Sequence, residues 1–152
     1  MAVSNIRKLK MPVTIEIQNL QTKIPISPAG TKTAINKVLK RLKLVGGHLS
    51  FVFVDDRKIR TVNRRYLKHD YATDVLTFDL CTKKKRGVVE GEIVISAQMA
   101  QRNAAEYGVS VKSEVLLYMV HGVLHLLGYD DHSPSGIKKM RAKEKQLLSL
   151  GN

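Results

Sequence analysis

A chain of 152 residues is long enough to bury a real core and too short for two domains of ordinary size. Hydrophobic residues at 43% and charged residues at 26% exclude a wholly disordered chain. Lysine and arginine outnumber aspartate and glutamate by 26 to 13, a net charge of +13, so the surface attracts polyanions; on charge alone nucleic acid and an anionic membrane both qualify.

Val13 to Ile17 (VTIEI) alternates β-branched and polar residues as a half-buried strand does. From Ser27, a Ser-Pro start followed by Ala34, Val38 and Leu42 on one face predicts an amphipathic helix, with Gly46-Gly47 as its stop. His48 to Val54 (HLSFVFV) is a second strand, and Asp55-Asp56 caps a second helix whose apolar stripe is Ile59, Val62 and Tyr66. Val75–Phe78 and Glu92–Ser96 are two short strands, separated by a lysine-rich connection that ends in Gly87. A third helix over Ala97–Tyr107 breaks at Gly108, Ser110–Leu127 is the longest and most apolar helix, and a basic helix runs from Pro134 to Leu150. The expected fold class is α/β: a small mixed sheet of about four strands packed with about five helices, in a single domain spanning 1–152.

Cys81 is the single cysteine, which rules out an intramolecular disulfide and any cysteine-based metal cluster, and suits a reducing cytosol. The stretch Met1 to Met11 has Arg7, Lys8 and Lys10 but no apolar run, and the sequence has no run of about 18 apolar residues. Neither a signal peptide nor a membrane span is expected, and the chain is read as cytoplasmic.

His121 to His132, HGVLHLLGYDDH, holds three of the five histidines. His121 and His125 project from one helical face a turn apart, so both imidazoles reach one ion. Gly128 in the left-handed conformation ends the helix and turns His132 back toward the same point. Three imidazoles leave a fourth position for water or substrate, as catalytic zinc sites do. The expected cofactor is one divalent transition metal, Zn2+ first, although nickel, copper and cobalt also accept such ligands. His48 and His69 lack this context and are read as strand-start and loop residues. Glu114 and Tyr118 share the histidine face, and Glu114 is read as an exposed first-turn carboxylate favoured by the helix dipole.

A metalloprotease of the HExxH type places its base directly after the first histidine. Here that residue is Gly122, which argues against peptide hydrolysis by that route. HGVLHLLGYDDH instead resembles the signature HGxLHLxGYDH of the YbeY family of endoribonucleases. Asn63–Phe78, NRRYLKHDYATDVLTF, is similar to the family's second motif ending in TDVLSF, and Gly91–Ser96, GEIVIS, to its strand GDIxIS. The three blocks keep the family's order over roughly residues 13–150. The resemblance implies an α/β metalloprotein with the metal on His121, His125 and His132. It further implies hydrolysis of single-stranded RNA in ribosomal RNA maturation and ribosome quality control, with ribosomal RNA or the ribosome as partner.

Two departures from the family pattern matter. The segment Gly128-Tyr129-Asp130-Asp131-His132 is one residue longer than the family's GYDH, and either Asp130 or Asp131 is placed to orient a ligand histidine. The position after the second motif's tyrosine, often a functionally important arginine in the family, is Leu67, so no catalytic residue is assigned. Ala72 stands where proline is common. The candidate RNA contacts are Arg57, Arg60, Arg64, Arg65 and Lys68 near the second helix, and Lys83, Lys84, Lys85 and Arg86 in the loop. Tyr66, Tyr71 and Tyr129 are read as core or turn residues before base-stacking ones, and Asp74 either as a cap or as a residue that positions water or a ligand. A ribosome- or RNA-binding protein with a structural metal is the alternative reading. A metal hydrolase acting on a small molecule or peptide leaves the charge of +13 without a purpose.

Overall fold

The computed structural model of the chain describes residues 13–149. The reading of Met1–Met11 and the expected end of the last helix at Leu150 lie outside the described residues.

Strands β1 (Thr14–Asn19), β2 (Gly46–Val54), β3 (Val75–Asp79) and β4 (Val88–Ser96) form one mixed sheet in the order β1-β2-β4-β3. β1 with β2 and β2 with β4 are parallel pairs, while β3 runs antiparallel to β4 at the edge. A parallel pair needs a crossover connection, and α1 (Pro28–Leu39) supplies the first of these. α2 (Asp56–Leu67) lies in the second, and α3 (Ala97–Tyr107), α4 (Val111–Leu126) and α5 (Pro134–Ser149) follow β4. The expected small mixed sheet with five helices is the fold that forms.

Side chains alternate along a strand, so β2 sends Leu49, Phe51 and Phe53 to one face of the sheet and Val52 and Val54 to the other. The first face carries the main core, in which Ile35 and Val38 of α1 and Met119, Val123 and Leu124 of α4 are at most 1% exposed. Met140 and Leu147 of α5 join that core. On the second face Ile59 of α2 packs on Val52, Val54, Leu76 and Val94. Each of the first four helices starts on a side-chain oxygen that accepts a first-turn N–H: Ser27 from Gly30, Asp55 from Lys58, Ser96 from Met99 and Ser110 from Ser113.

Two boundaries differ from the sequence reading. Gly46 and Gly47 do not stop α1; the helix ends at Leu39, a 3-10 turn (Lys40–Leu42) follows, and both glycines belong to β2. Gly47 has φ 123° and lies so close to the Val89 carbonyl that a Cβ has no room, so strand pairing is what requires glycine there. β4 begins at Val88 rather than Glu92. Gly91, inside this longer strand, lets α4 close onto it, because a Cβ there would lie 2.6 Å from Leu126 Cδ1.

Candidate metal centre and its cleft

α4 is seated on β4 at another glycine. A Cβ on Gly122 would lie 2.7 Å from Ile93 Cγ2, so the position that an HExxH protease fills with its base points into the sheet. His121 and His125 project elsewhere and are each about a quarter exposed, at 26%. At the helix end Tyr129 N–H donates to the Leu124 carbonyl and Gly128 N–H to the His125 carbonyl, both at 3.0 Å, with Gly128 at φ 98°. These two bonds form a Schellman turn, which satisfies carbonyls the helix leaves unpaired.

The same turn orients an imidazole. Tyr129's carbonyl accepts from His125 Nδ1 at 3.1 Å, and Glu144 Oε2, on α5, accepts from His121 Nδ1 at 2.8 Å. With both Nδ1 atoms donating, both Nε2 atoms carry lone pairs, and they face each other 3.0 Å apart. Asp131 Oδ2 lies 3.6 Å from each of them. Metal–ligand bonds of about 2.0–2.1 Å in a tetrahedron separate neighbouring ligand atoms by about 3.4 Å. The three observed separations bracket that value, so two imidazoles and a carboxylate fit one small cation. Burial pushes the His121 imidazole down, but the Glu144 carboxylate more than offsets this and leaves it above the ordinary histidine range. Burial and the neighbouring His121 hold His125 below that range.

His132 stands outside this group. It is exposed, its backbone N–H donates to Asp130 Oδ1 at 3.2 Å, and the third corner is occupied by Asp131. The longer GYDDH turn accounts for this, since residue 131 arrives where the expectation placed His132. Asp130 shapes the turn, and Asp131 meets the histidines.

His121 and Asp131 of this group open onto a cleft of about 500 Å³. α4 lines it with Glu114, Tyr118 and His121, and α5 with Met140, Arg141 and Glu144. Asp74, Asn103 and Asp131 also line it. Glu114 is not the exposed carboxylate expected: it is 4% exposed, and burial together with the nearby Asp74 pushes its carboxyl above the ordinary range. Burial also pushes Tyr118 up to about 12, although Asn103 Nδ2 donates to its Oη at 2.5 Å, so the phenol is neutral at physiological pH. Asp74 acts as a cap, its Oδ1 accepting from Val75 N–H at 2.8 Å, and it lines the cleft as well.

Glu144 was not anticipated. Its signal is spacing: on a basic helix it falls on the buried stripe of Met140 and Leu147, where a carboxylate needs a partner. The candidate RNA contacts are dispersed. α2 sits across the sheet from α4, and none of Arg57, Arg60, Arg64, Arg65 or Lys68 lines the cleft. Arg60 and Arg64 reach Asp70 at 3.0 and 3.9 Å, Arg65 lies over the Tyr66 ring at 5.6 Å, and Leu67 is 47% exposed. Lys84 donates to Asp79 at 2.7 Å, and Lys84, Lys85 and Arg86 line a separate hollow against Leu126, Leu127 and Gly128 at the end of α4. His48 meets Glu16 at 3.5 Å and His69 stacks near Tyr71, as strand and loop residues.

Comparison with known proteins agrees with this architecture. Residues 16–151 match the protein family described as Endoribonuclease YbeY. Endoribonuclease YbeY of Pelotomaculum thermopropionicum is 40% identical over 151 residues, covering 93% of this chain and 98% of that protein. That of Myxococcus xanthus is 47% identical over 113 residues, covering 72% of this chain and 38% of that longer protein. Among solved structures, the solution structure of TM1509 from Thermotoga maritima superposes with a TM-score of 0.66 at 27% identity, covering 91% of this chain and 89% of the other.

Proposed function

The chain belongs to the YbeY endoribonuclease family, and from that premise we propose that the cleft is the active site of a metal-dependent endoribonuclease acting on single-stranded RNA. The carrying observation is the convergence of His121 Nε2, His125 Nε2 and Asp131 Oδ2 at separations of 3.0 to 3.6 Å beside the cleft. Bound there, a divalent ion supplies Lewis acidity for phosphodiester hydrolysis. In this reading Asp131 holds the third corner in place of His132. Two imidazoles and one carboxylate suit Zn2+ and favour copper less than three imidazoles do.

The chain's own residues set the conditions. Glu144 and the Tyr129 carbonyl fix the ring tautomers and orient both Nε2 atoms inward. Glu114, whose burial favours the protonated form, faces the cleft as a group that can hold a proton near the reacting phosphate. The net charge of +13 draws RNA to the surface, and a splayed single strand enters such a cleft more readily than an A-form duplex. Ribosomal RNA in the cytoplasm, during ribosome maturation and quality control, is the substrate and setting we propose.

The test combines metal analysis with cleavage. Purified protein should carry one divalent metal per chain, lost in His121→Ala, His125→Ala and Asp131→Ala and kept in His132→Ala. The reverse pattern for the last two would return the third corner to His132. An unstructured RNA should be cut and the same RNA annealed to its complement spared. Cleavage that survives both chelation and His125→Ala would sink the metal-dependent reading, and tight RNA binding without cleavage by fully metallated protein would favour an RNA-binding protein with a structural metal.

A further inference from the structure

We infer that Arg141 is the phosphate-contacting cation of this cleft, the residue that meets the non-bridging oxygens of the scissile phosphodiester; this rests on the endoribonuclease reading and adds to it the group that grips the substrate. Among the described residues that line the cleft, Asp74, Glu114, Asp131 and Glu144 supply four carboxyl groups, and Arg141 is the only lysine or arginine. A bound dication leaves such a site no better than neutral toward RNA unless a further positive group is present, and phosphoryl chemistry at a metal needs one for the charge that builds on the phosphate oxygens.

Arg141 is placed and free to serve. It precedes Glu144 by three residues on α5, so the two share a face, and Glu144 is the residue bonded to His121. The guanidinium is therefore carried on the same rigid helix that positions a metal-site imidazole. Several other cations are committed to acids: Arg60 to Asp70, Lys84 to Asp79 and Arg102 to Asp56. Arg141 has no ion-pair or hydrogen-bond partner among the described residues, although carboxylates surround the same cleft. Glu144 is turned to His121, Asp131 to the histidine pair, and Asp74 to Val75 N–H. An exposed, unpaired guanidinium beside a metal site presents planar, bidentate donors to an incoming phosphate.

The experiment uses full-length metallated protein and three variants: Arg141→Ala, Arg141→Lys and, as a control outside the cleft, Lys32→Ala, an exposed cation on α1. Arg141→Ala should cut unstructured RNA about 100-fold more slowly in kcat, the scale expected when one group stabilising transition-state charge is removed. Metal content and melting temperature should match the parent, because the side chain holds nothing else in place. Arg141→Lys should recover part of the loss, charge without the bidentate geometry. Binding of an unstructured 2′-O-methyl RNA, read by fluorescence anisotropy, should weaken in Arg141→Ala, with the slope of log affinity against log salt smaller by about 0.7. Full activity and an unchanged slope in Arg141→Ala would overturn the inference, as would a loss fully explained by missing metal. If the parent protein fails to cut RNA, the endoribonuclease reading falls, and the anisotropy arm decides Arg141 alone: an unchanged slope overturns it.

Discussion

Glu114 shows how one buried carboxyl couples stability to pH. It is 4% exposed in the first turn of α4, and burial, reinforced by Asp74, pushes its carboxyl above the ordinary glutamate range. A carboxyl with a raised folded-state pKa binds more protons in the native than in the unfolded chain, so its contribution favours folding while it is protonated and is lost as pH rises from the unfolded value through the folded one. Glu114→Gln should therefore gain stability relative to the parent more at pH 8 than at pH 4, as measured by denaturant unfolding at both. A difference independent of pH would show that the carboxyl is not desolvated. Asp74→Asn should reproduce a smaller part of the effect. The sequence placed Glu114 on the histidine face but could not say whether that face meets solvent, because α5 arrives from some twenty residues further on. The same gap hid Glu144 as His121's partner, whereas His121 and His125 were legible because one helix fixes their relation.

At the scale of elements, the site depends on how closely α4 approaches β4. Gly122 and Gly91 set that approach, one on the helix and one on the strand. Gly122→Ala should gain up to about 1 kcal/mol in helix propensity yet place a Cβ 2.7 Å from Ile93 Cγ2, a methyl on a β-branched side chain that has little freedom to swing aside. Overpacking of this kind costs about 1–3 kcal/mol, so a net loss of about 1 kcal/mol is expected in urea unfolding. In an Ile93→Ala background the added methyl should cost less or stabilise, a coupling that a double-mutant cycle measures. Stabilisation by Gly122→Ala with Ile93 intact would refute the close approach as the reason for glycine. Helix starts were legible because Ser27, Asp55, Ser96 and Ser110 are local signals. The roles of Gly47 and Gly91 were not, since each answers to a residue on another element, Val89 and Leu126.

At the scale of the whole molecule, charge is divided by place: the chain carries +13, while the described residues that line its cleft include four carboxyl-bearing side chains and one arginine. Attraction of RNA must then come largely from cations outside the cleft, and the choice lies between α2 and the loop Lys83–Arg86. α2 stands on the far face of the sheet from α4, and two of its arginines reach Asp70. The loop lines a hollow against Leu126, Leu127 and Gly128, directly after His125. A strand whose phosphate sits at the histidine pair therefore meets the loop sooner than α2. Lys84 donates to Asp79, but it is 73% exposed, and a pair so open to water is worth little and yields readily to a phosphate. Replacing Lys83, Lys84, Lys85 and Arg86 together by glutamine should lower the slope of log affinity against log salt by about 0.7 for each phosphate that the loop no longer neutralises. The same variant should keep its metal and its kcat at saturating RNA, since none of the four lines the cleft. Glutamine at Arg57, Arg60, Arg64 and Arg65 is the matched control and should leave most of the slope intact. If the control flattens the slope and the loop variant does not, RNA reaches the histidines around the α2 side of the sheet, and the loop is a solvated connection between β3 and β4.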